Sequence, residues 1–455
     1  MPAHMAEKIY QSSPVWVQNL LVSLYGVAEH QRRYKGEFSS WYQTLKAQVL
    51  ASADEVDKRE QQQLSRILEN ALQTVPFYRN LGLTSADLSQ FPILERERIA
   101  EAPENFVSDT YDRSKLLTLY TGGSTGTPLK VYISKAIRQK NYAHWALFYD
   151  QMGFAIGEKK ATFVGRLVQN PNNQNPPFWR YNLIDRQLVF SSYHLTDENI
   201  PAYLDKLNAF SPRLLEGYPN TLFRLAEYIT THSFPIQFQP CGLSVSSESF
   251  TPEQRRVMES AFNTRVYDQY GSAESVVFAS ECTHGTMHVA PEFGIVEVLD
   301  SEGNISREGS GEFLVTTLLN DVMPLIRYKI GDLGTVTRTS CPCGRNTYVI
   351  TELSGKAGAV IVSEGRNVPT AALAIAFEYV EPIRRSQIIQ NQPDRILVRL
   401  AVRDTYNQKD EDFVLWELRK MLGTSIGIDF EYVDDIPPGK NGKYKMVIQN
   451  YYPTT

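Results

Sequence analysis

A glycine- and hydroxyl-rich segment between two β-like runs is the first part of the chain whose residue types could do chemistry. It reads Tyr120-Thr121-Gly122-Gly123-Ser124-Thr125-Gly126-Thr127-Pro128-Leu129-Lys130. Glycines let the backbone approach a ligand closely, the hydroxyls and amides can bind phosphate oxygens, and Lys130 adds a cation. The nucleotide-binding pattern G-x-x-x-x-G-K-[ST] is absent, because Gly126 is followed by Thr127. These residues alone fit a polyphosphate site and a solvated hairpin equally well.

Three later segments combine carboxylates, lysines and aromatic residues with glycine. They are Tyr267-Asp268-Gln269-Tyr270-Gly271-Ser272-Ala273-Glu274, Val322-Met323-Pro324-Leu325-Ile326-Arg327-Tyr328-Lys329-Ile330-Gly331-Asp332, and Gly439-Lys440-Asn441-Gly442-Lys443-Tyr444-Lys445. The carboxylate of Asp332 offers the pair of acceptors that a ribose diol needs. Locally, however, Asp332 also fits a tight turn, and Lys443 fits a turn in a lysine-rich tail.

A group of cysteines and histidines predicts a metal site. Its members are Cys282, His284, His288, Cys341 and Cys343. Cys341 and Cys343 are too close in sequence for an ordinary disulfide, whereas both thiolates can point to one side of a tight turn. Four such ligands make a closed tetrahedral zinc site, whose role is structural, and free thiols are the alternative. Cys241 is left as an ordinary buried thiol.

Length and composition limit the elements that must position these residues. The chain has 455 residues, 46 Lys and Arg against 51 Asp and Glu, a formal charge of -5 and 42% hydrophobic residues. This is typical of a globular protein of two or three domains, and it gives no general attraction to nucleic acid or membrane. Four cysteines, no signal-like N-terminus and no run of about 20 apolar residues favour a cytoplasmic protein without a transmembrane segment, monomeric or homodimeric.

The hydrophobic pattern predicts α/β architecture. Residues 1 to about 110 are mostly helical, with Leu64, Ile67, Leu68, Ala71 and Leu72 on one face of a helix. Short apolar runs alternate with helical patterns from Leu116, and antiparallel strands follow from Phe293 to Thr337. Residues 169–180 read as an ordered surface loop. After Leu353 a compact α+β unit begins, with a helix over Glu411–Leu422 and strands over Arg395–Val402 and Ile428–Val433.

Taken together, the four motifs resemble those of the adenylate-forming superfamily, which includes acyl-CoA synthetases and nonribosomal peptide adenylation domains. Their order and spacing agree with that family over residues 70 to 448. Pro92-Ile93-Leu94, Gly217-Tyr218-Pro219 and Cys341-Pro342-Cys343-Gly344-Arg345 are similar to the phenylacetate-CoA ligase branch, especially its relatives in capsular polysaccharide or secondary-metabolite biosynthesis. This resemblance implies a large N-terminal domain with layered sheets and helices, residues 1–353, and a small mobile α+β lid, residues 354–455.

The resemblance also implies a role for each motif. An acid would attack the α-phosphorus of ATP, giving an acyl-AMP and pyrophosphate, so cations and donors must neutralise the phosphates. Thr121, Gly122, Gly123, Ser124, Thr125, Gly126, Thr127 and Lys130 would cradle the phosphates, and Glu274 would hold Mg²⁺. Tyr270, Gly271, Ser272 and Glu248 would lie near adenine, Asp332 would take the ribose hydroxyls, and Arg345 would approach phosphates or ribose. Lys443 would be the catalytic lysine, and His288 rather than His284 the zinc ligand.

The acid pocket and the acyl acceptor are less closely defined by these motifs. Tyr142, Trp145, Tyr218 and Pro219 would line the pocket, and Phe178 to Arg180 could cap it, although an aromatic stripe is more often core. Coenzyme A, a carrier-protein thiol and an amine remain open as acceptors. Ala273 replaces a usual Thr or Ser, and Gly355-Lys356-Ala357-Gly358-Ala359 replaces an acidic hinge. These departures motivate the alternative of a nucleotide-binding, non-catalytic scaffold.

Overall fold

The structure is a computed structural model of the chain. It describes residues 10–121, 129–164, 168–170, 173–356, 360–363, 366–369, 373, 376–377, 380, 382–437, 439 and 444–451.

Helices dominate the first hundred residues and then separate the strands of the large sheet. In the described part of the chain the α-helices are α1 (Val15–Tyr34), α2 (Glu37–Gln48), α3 (Ala53–Thr74), α4 (Pro76–Arg79), α5 (Arg96–Glu101), α6 (Lys135–Asp150), α7 (Ile200–Phe210), α8 (Pro219–His232), α9 (Pro252–Phe262) and α10 (Gln408–Leu422). The long amphipathic α3 begins with a capping box between Ser52 and Glu55, and buries Leu64, Ile67, Leu68 and Ala71. These four residues confirm the predicted helical face.

The strands fall into one large sheet, a small C-terminal sheet and two hairpins. They are β1 (Leu117–Thr121), β2 (Leu129–Ile133), β3 (Lys160–Val164), β4 (Trp179–Asn182), β5 (Gln187–Ser191), β6 (Leu214–Gly217), β7 (Gly242–Ser246), β8 (Val266–Gly271), β9 (Phe278–Glu281), β10 (Met287–Val289), β11 (Gly294–Leu299), β12 (Ile305–Ser306), β13 (Gly309–Thr317), β14 (Tyr328–Arg338), β15 (Tyr348–Lys356), β16 (Val360–Ser363), β17 (Arg366–Pro369), β18 (Ile383–Gln392), β19 (Arg395–Val402), β20 (Gly427–Tyr432) and β21 (Val447–Gln449).

The large sheet has 13 strands in the order β12-β11-β13-β14-β15-β10-β9-β8-β7-β6-β3-β5-β4. Strands β5, β3, β6, β7 and β8 are parallel neighbours, and α7, α8 and α9 connect them as βαβ units. From β8 to β12 every pairing is antiparallel, which confirms the antiparallel sheet predicted after Phe293. The sheet therefore changes from parallel to antiparallel between β8 and β9.

Two apolar cores cover the large sheet and a third lies in the C-terminal unit. The first packs α3 and α6 against strands such as β11 and β13, and the second packs α7 to α9 against β3, β5, β6 and β7. The third begins at Ile361 and extends to Val447, where α10 packs on a four-stranded sheet of order β20-β19-β18-β21. This arrangement confirms the mixed α/β fold with a C-terminal α+β unit.

The predicted domain boundary at residue 353/354 falls inside a strand. Strand β15 continues to Lys356 and pairs with Asp332 of β14, so these residues lie with the large sheet. The separate C-terminal core starts a few residues later, at Ile361. The numerical boundary therefore stays a prediction.

The prediction of a surface loop over residues 169–180 is wrong at its C-terminal end. Phe178 is fully buried, stacks on His194 and Tyr203, and leads into edge strand β4. Arg180 is also buried, and its guanidinium donates hydrogen bonds to Gln169 and to two backbone carbonyls. Phe178 thus belongs to the second core, and Arg180 is buried in polar contacts within the protein, so neither side chain is free to cap a substrate cavity.

Within the part of the chain that the structure describes, no helix is long and apolar enough to cross a lipid bilayer.

Candidate active site and metal centre

The predicted site residues lie mainly at one edge of the large sheet. Strands β6, β7 and β8 run parallel, and their carboxyl ends lead directly to Tyr218, to Ser247 and Glu248, and to Ser272. In open α/β sheets, ligands bind outside the carboxyl ends of the parallel strands, which is the edge that carries these residues. Ser247 and Ser275 have positive φ values of 74° and 57°, so the backbone turns sharply after β7 and after β8.

Glu274 is buried and held by two partners. Its Oε1 accepts a hydrogen bond from Arg96 Nη1 at 3.3 Å and another from the Tyr328 hydroxyl at 3.3 Å. Burial and the charge of Glu274 raise the pKa of Tyr328, so this phenol stays a donor. A carboxylate fixed in this way can exchange Arg96 for a divalent cation without moving its backbone.

Tyr270 and Asp332 meet although they are distant in sequence. The Tyr270 hydroxyl donates to Asp332 Oδ2 at 2.8 Å, which joins the end of β8 to β14. Burial, together with the Asp332 carboxylate, raises the pKa of Tyr270 well above its usual range. The structure therefore brings the motif around Tyr270 and the motif around Asp332 together, while their binding of a nucleotide stays a prediction.

Glu248 links the large sheet to the C-terminal unit. Its Oε2 accepts from the backbone amide of Asn220 at 3.3 Å, and its Oε1 accepts from the amide of Tyr444 at 2.8 Å. Other ion pairs join the two units, including Arg403 to Glu227 at 3.1 Å and Arg224 to Asp435 at 3.5 Å. Lys443, the predicted catalytic lysine, precedes Tyr444 in sequence and lies outside the described residues.

The predicted phosphate loop is described only at its two ends. Gly122, Gly123, Ser124, Thr125, Gly126 and Thr127 lie outside the described residues, while β1 and β2 pair as a hairpin with Thr121 opposite Leu129. Lys130 Nζ lies 3.3 Å from Glu104 Oε1 and 4.7 Å from the centroid of the Tyr132 ring. The lysine predicted to meet phosphate is therefore paired with a carboxylate here.

The four predicted pocket residues divide into two groups. Tyr218 caps α8 and Pro219 occupies its first turn, at the end of β6, while Tyr142 is half-buried on α6. Trp145 instead packs against the core, with its ring 5.4 Å from Phe278 in an edge-to-face contact. Trp145 follows Tyr142 by three residues on the same side of α6 and is also half-buried, so its place in the pocket stays a prediction.

Two details connect α6 to the strand ends. Asn141 Nδ2 donates to Ser275 Oγ at 3.4 Å, which places the Tyr142 turn beside the segment that carries Glu274. The hydroxyl oxygen of Ser272 is buried and has no hydrogen-bond partner among the described residues. An unpaired buried hydroxyl is costly, so Ser272 is suited to bind a ligand here.

Arg345 lies at the other end of the sheet from Asp332. Strand β14 runs from Asp332 to Arg338 over six residues, about 20 Å, and Arg345 follows beyond that far end. Its guanidinium lies among the cysteines and Glu292, and it lines a small cavity of about 50 Å³ together with His288. The prediction that Arg345 contacts ATP is therefore corrected.

The predicted zinc ligands converge at that far end. Cys282, His288, Cys341 and Cys343 bring one ligand atom each to within 4.8 Å of one another. Cys343 Sγ lies 3.3 Å from His288 Nε2, and Cys282 Sγ lies 3.7 Å from Cys341 Sγ. His288 Nδ1 is 3.0 Å from the Thr347 hydroxyl, the kind of contact that fixes the tautomer of a metal-binding imidazole. Burial lowers the pKa of His288 to about 4, which keeps its ring neutral.

Two tight turns present these ligands. Gly285 and Gly344 have φ values of 79° and 81°, a conformation that glycine adopts without strain, and each turn closes with a hydrogen bond to the carbonyl of Cys282 or Cys341. His284 is exposed and lies outside the four-residue group. The geometry thus favours His288 over His284, as the resemblance implied.

The sequence did not reveal the two side chains that form ion pairs with Glu274 and Lys130. Arg96 reaches Glu274 across 178 residues of sequence, and Glu104 reaches Lys130 across 26. Neither lies in a recognisable motif. The one available signal was the Pro92-Ile93-Leu94 segment, since Leu94 bridges to Tyr328 and so places α5 beside the site.

The fold and these motifs define the class of the protein. Among solved structures, 2-hydroxyisobutyryl-CoA ligase in its postadenylation state with 2-HIB-AMP superposes with a TM-score of 0.68, at 18% identity over 88% of this chain and 91% of that chain. The chain therefore has the fold of adenylate-forming ligases.

Particular relatives appear at the level of sequence. Protein CapK of Staphylococcus aureus is 29% identical over 98% of this chain and 100% of its own length. Phenylacetate-coenzyme A ligase of Thermus thermophilus is 22% identical over 72% of this chain and 77% of its own length. Residues 360–450 match the CapK C-terminal domain. The resemblance predicted from the motifs is confirmed: the homologues are CapK and the phenylacetate-coenzyme A ligases.

Proposed function

We propose that the chain is an ATP-dependent ligase that activates a carboxylic acid as an acyl-AMP, releasing pyrophosphate, and then transfers the acyl group. The observation that carries this proposal is the convergence of Tyr270, Asp332, Glu274 and Glu248 on the carboxyl edge of β6 to β8. Adenylation requires an anionic acid to meet an anionic phosphate, so a site for it must combine donors and cations with a divalent-metal carboxylate.

Each residue then has a defined task. The Thr121–Thr127 loop and Lys130 bind the phosphates, and Ser272 lies near adenine. Asp332 accepts from the ribose hydroxyls, while Tyr270 orients the Asp332 carboxylate. Glu274 holds Mg²⁺, which neutralises phosphate oxygens when bound. Lys443 bridges the attacking carboxylate and the α-phosphate, so its loss reduces rate more than binding. The hydrogen bond from the Tyr444 amide to Glu248 supports this role, because Tyr444 follows Lys443 directly.

A thiol is the acceptor that the relatives favour. The phenylacetate-coenzyme A ligases and 2-hydroxyisobutyryl-CoA ligase use coenzyme A by name, which supports coenzyme A or a carrier thiol. An amine is the remaining alternative, and the mass of the product separates the two.

A pyrophosphate-release assay tests the proposal directly. The enzyme is incubated with Mg-ATP and a panel of aryl, fatty, hydroxy and amino acids, with and without coenzyme A. Release that depends on an acid is expected in the wild type and in Lys445→Ala, an exposed lysine in the same tail. Lys443→Ala and Glu274→Gln should lose about a hundredfold or more of the rate. Equal rates in Lys443→Ala and Lys445→Ala would refute the proposed role of Lys443.

A non-catalytic nucleotide-binding scaffold is the second candidate. Ala273 and the Arg96–Glu274 ion pair favour it, because the first removes a hydroxyl and the second occupies the metal carboxylate. In that case ATP would bind and raise the melting temperature, but no acid would yield AMP.

We also propose a structural zinc ion at Cys282, His288, Cys341 and Cys343. Three thiolates and one imidazole make the closed donor set typical of structural zinc, and the four ligand atoms are already gathered within 4.8 Å. Such an ion would join the β9–β10 hairpin to the segment between β14 and β15.

A further inference from the structure

Two guanidinium groups cover the ring of Tyr142 in the proposed acid pocket. Arg33 Cζ lies 4.8 Å from the ring centroid and Arg138 Cζ lies 5.6 Å from it. Arg33 comes from the C-terminal end of α1, and Arg138 lies one turn before Tyr142 on α6. The ring of Tyr34, also on α1, meets Tyr142 edge-on at 5.7 Å. Helix α1 thus closes one side of Tyr142 with charged and aromatic groups.

Positive charge exceeds negative charge in this group. Glu29 is the shared carboxylate, and it accepts hydrogen bonds from Arg32 at 2.9 Å, Arg33 at 2.9 Å and Arg138 at 3.0 Å. Three guanidinium groups therefore share one carboxylate. The side chains of Arg33 and Arg138 are only 12% and 21% exposed, whereas that of Arg32 is 45% exposed. Two of the three cations are thus largely removed from water.

The other carboxylates of this region have partners of their own. Glu216 accepts from Lys160 at 3.1 Å, from Tyr149 at 2.8 Å and from Thr162 at 3.1 Å. Asp185 contacts His30 at 3.0 Å and Asn182 at 2.9 Å. Meanwhile Arg138 Nε is buried and has no hydrogen-bond partner among the described residues. A buried cation with an unpaired donor is costly, and an anion from outside would satisfy it.

This cationic group adjoins the proposed reaction site. Asn141, beside Tyr142, contacts Ser275 next to Glu274. Helix α6 also contacts strand β6, because the Tyr149 hydroxyl donates to Glu216. Glu216 and Tyr218 are two residues apart on an extended segment, so their side chains lie on the same face of the sheet. Tyr142 therefore lies between the segment that carries Glu274 and the guanidinium groups of Arg33 and Arg138.

We propose that the acid activated by this protein carries a second anionic group, which Arg138 and Arg33 bind at the end of the pocket away from Glu274. This inference rests on the proposed ligase function and names its substrate class. A second carboxylate is the simplest such group, because guanidinium binds carboxylate through two parallel hydrogen bonds. Acids of matched shape that end in a methyl group leave the excess positive charge uncompensated and Arg138 Nε without an acceptor, so they bind more weakly.

Matched pairs of acids test this substrate class. Succinate is compared with butyrate, glutarate with pentanoate, and terephthalate with 4-methylbenzoate, in the pyrophosphate-release assay and by calorimetric titration. At least one diacid is expected to have a KM about tenfold or more below that of its monoacid partner. Arg138→Gln should raise the KM of that diacid by about tenfold and change the KM of the monoacid by less than about twofold.

Arg32→Gln is the matched control. It removes an equal charge and one hydrogen bond from Glu29, but Arg32 is half-exposed and makes no contact with the Tyr142 ring in the described part of the chain. A purely structural role of the arginines would lower the melting temperature in both variants and leave the diacid-to-monoacid ratio unchanged, which would overturn the proposal. So would a panel in which monoacids are preferred throughout.

The two proposals fail separately. Turnover of monoacids without preference for diacids would leave the ligase function standing and refute the anionic group. Binding of a diacid that needs Arg138, with no pyrophosphate released from any acid, would support the anion site and refute the ligase function. Absence of diacid binding by calorimetry, with or without ATP present, would refute the anion site directly.

Discussion

The hydrogen bond from Tyr270 to Asp332 is the contact on which the proposed nucleotide site most directly depends. It joins two motifs that lie 62 residues apart, and the buried phenol remains protonated because its pKa is raised. A hydrogen bond to a charged group contributes about 1.5 to 3 kcal/mol, more than one between neutral groups. Its task is to fix the rotamer of Asp332 before the ribose arrives.

We therefore expect Tyr270→Phe to weaken ATP binding by roughly tenfold, equivalent to about 1.4 kcal/mol. The ring is retained, so any stacking contact persists while the orientation of Asp332 is lost. Calorimetric titration with Mg-ATP measures the effect without a known acid. Tyr267→Phe is the control, because Tyr267 packs below Arg265 and makes no contact with Asp332 in the described part of the chain. Equal affinities for the two variants would contradict the prediction.

At the scale of single residues, the motifs identified candidate site residues but not the side chains with which they form ion pairs and hydrogen bonds. Tyr270, Asp332 and Glu274 were predictable because each lies in a local pattern of glycine and charge. Arg96 was not, because it acts through a contact 178 residues away. The contact of the Trp145 ring with Phe278 was also not predictable, because the two residues lie far apart in sequence. Helical spacing gives the relative orientation of side chains, whereas tertiary packing decides which face meets the ligand.

Among the elements, strand ends and turns were more predictable than polar strands. The strand Arg395–Val402 was predicted with the bounds that the structure has, since it is a short run rich in β-branched and other apolar residues. The neighbouring β18 was missed because Ser386, Gln387 and Gln390 are buried there. Gln390 exchanges hydrogen bonds with Val362 of β16, and Gln387 donates to the carbonyl of Lys445. Only the tertiary fold supplies these partners, so the sequence carried no strand signal.

The cysteine turns make a prediction about metal content. Purified protein is expected to hold about one zinc ion per chain, and Cys343→Ser to lose most of it, since three ligands bind far more weakly than four. Inductively coupled plasma mass spectrometry gives the stoichiometry, and urea unfolding should show a lower midpoint for the variant. Cys241→Ser is the control, because the Cys241 thiol donates to the Arg213 carbonyl and lies outside the cluster. Wild-type protein free of zinc, prepared without chelators, would contradict the proposal.

The arrangement of the two units is a property of the whole molecule, and Glu248 is central to it. The Glu248 carboxylate accepts hydrogen bonds from backbone amides of both units. Partly exposed ion pairs also join the units, and each contributes little to the free energy of docking. Neither the Glu248 contact nor the ion pairs could be predicted from the sequence, because they depend on how two separately folded cores dock.

Glu248→Ala is therefore expected to loosen the docking of the C-terminal unit. The loss of two accepted hydrogen bonds should raise the rate of limited proteolysis between the units about fivefold. Small-angle scattering should show an increased radius of gyration. Glu253→Ala serves for comparison, since its described contacts are confined to Arg256 on the same helix. Cleavage at the same rate in both variants would show that Glu248 does not hold the units together.

The paired charges of the nucleotide site have a thermodynamic consequence. Glu274 already has Arg96, and Lys130 already has Glu104, so the protein supplies its own counter-ions. On binding, Mg-ATP would therefore not meet unpaired charges. Mg²⁺ would replace Arg96 as the partner of Glu274, and phosphate would replace Glu104 as the partner of Lys130. The net gain in free energy from such an exchange would be small, because each new ionic contact replaces an existing one. Because existing ion pairs are lost when Mg-ATP binds, the affinity for nucleotide would be moderate. A moderate affinity would favour release of AMP and pyrophosphate after each turnover.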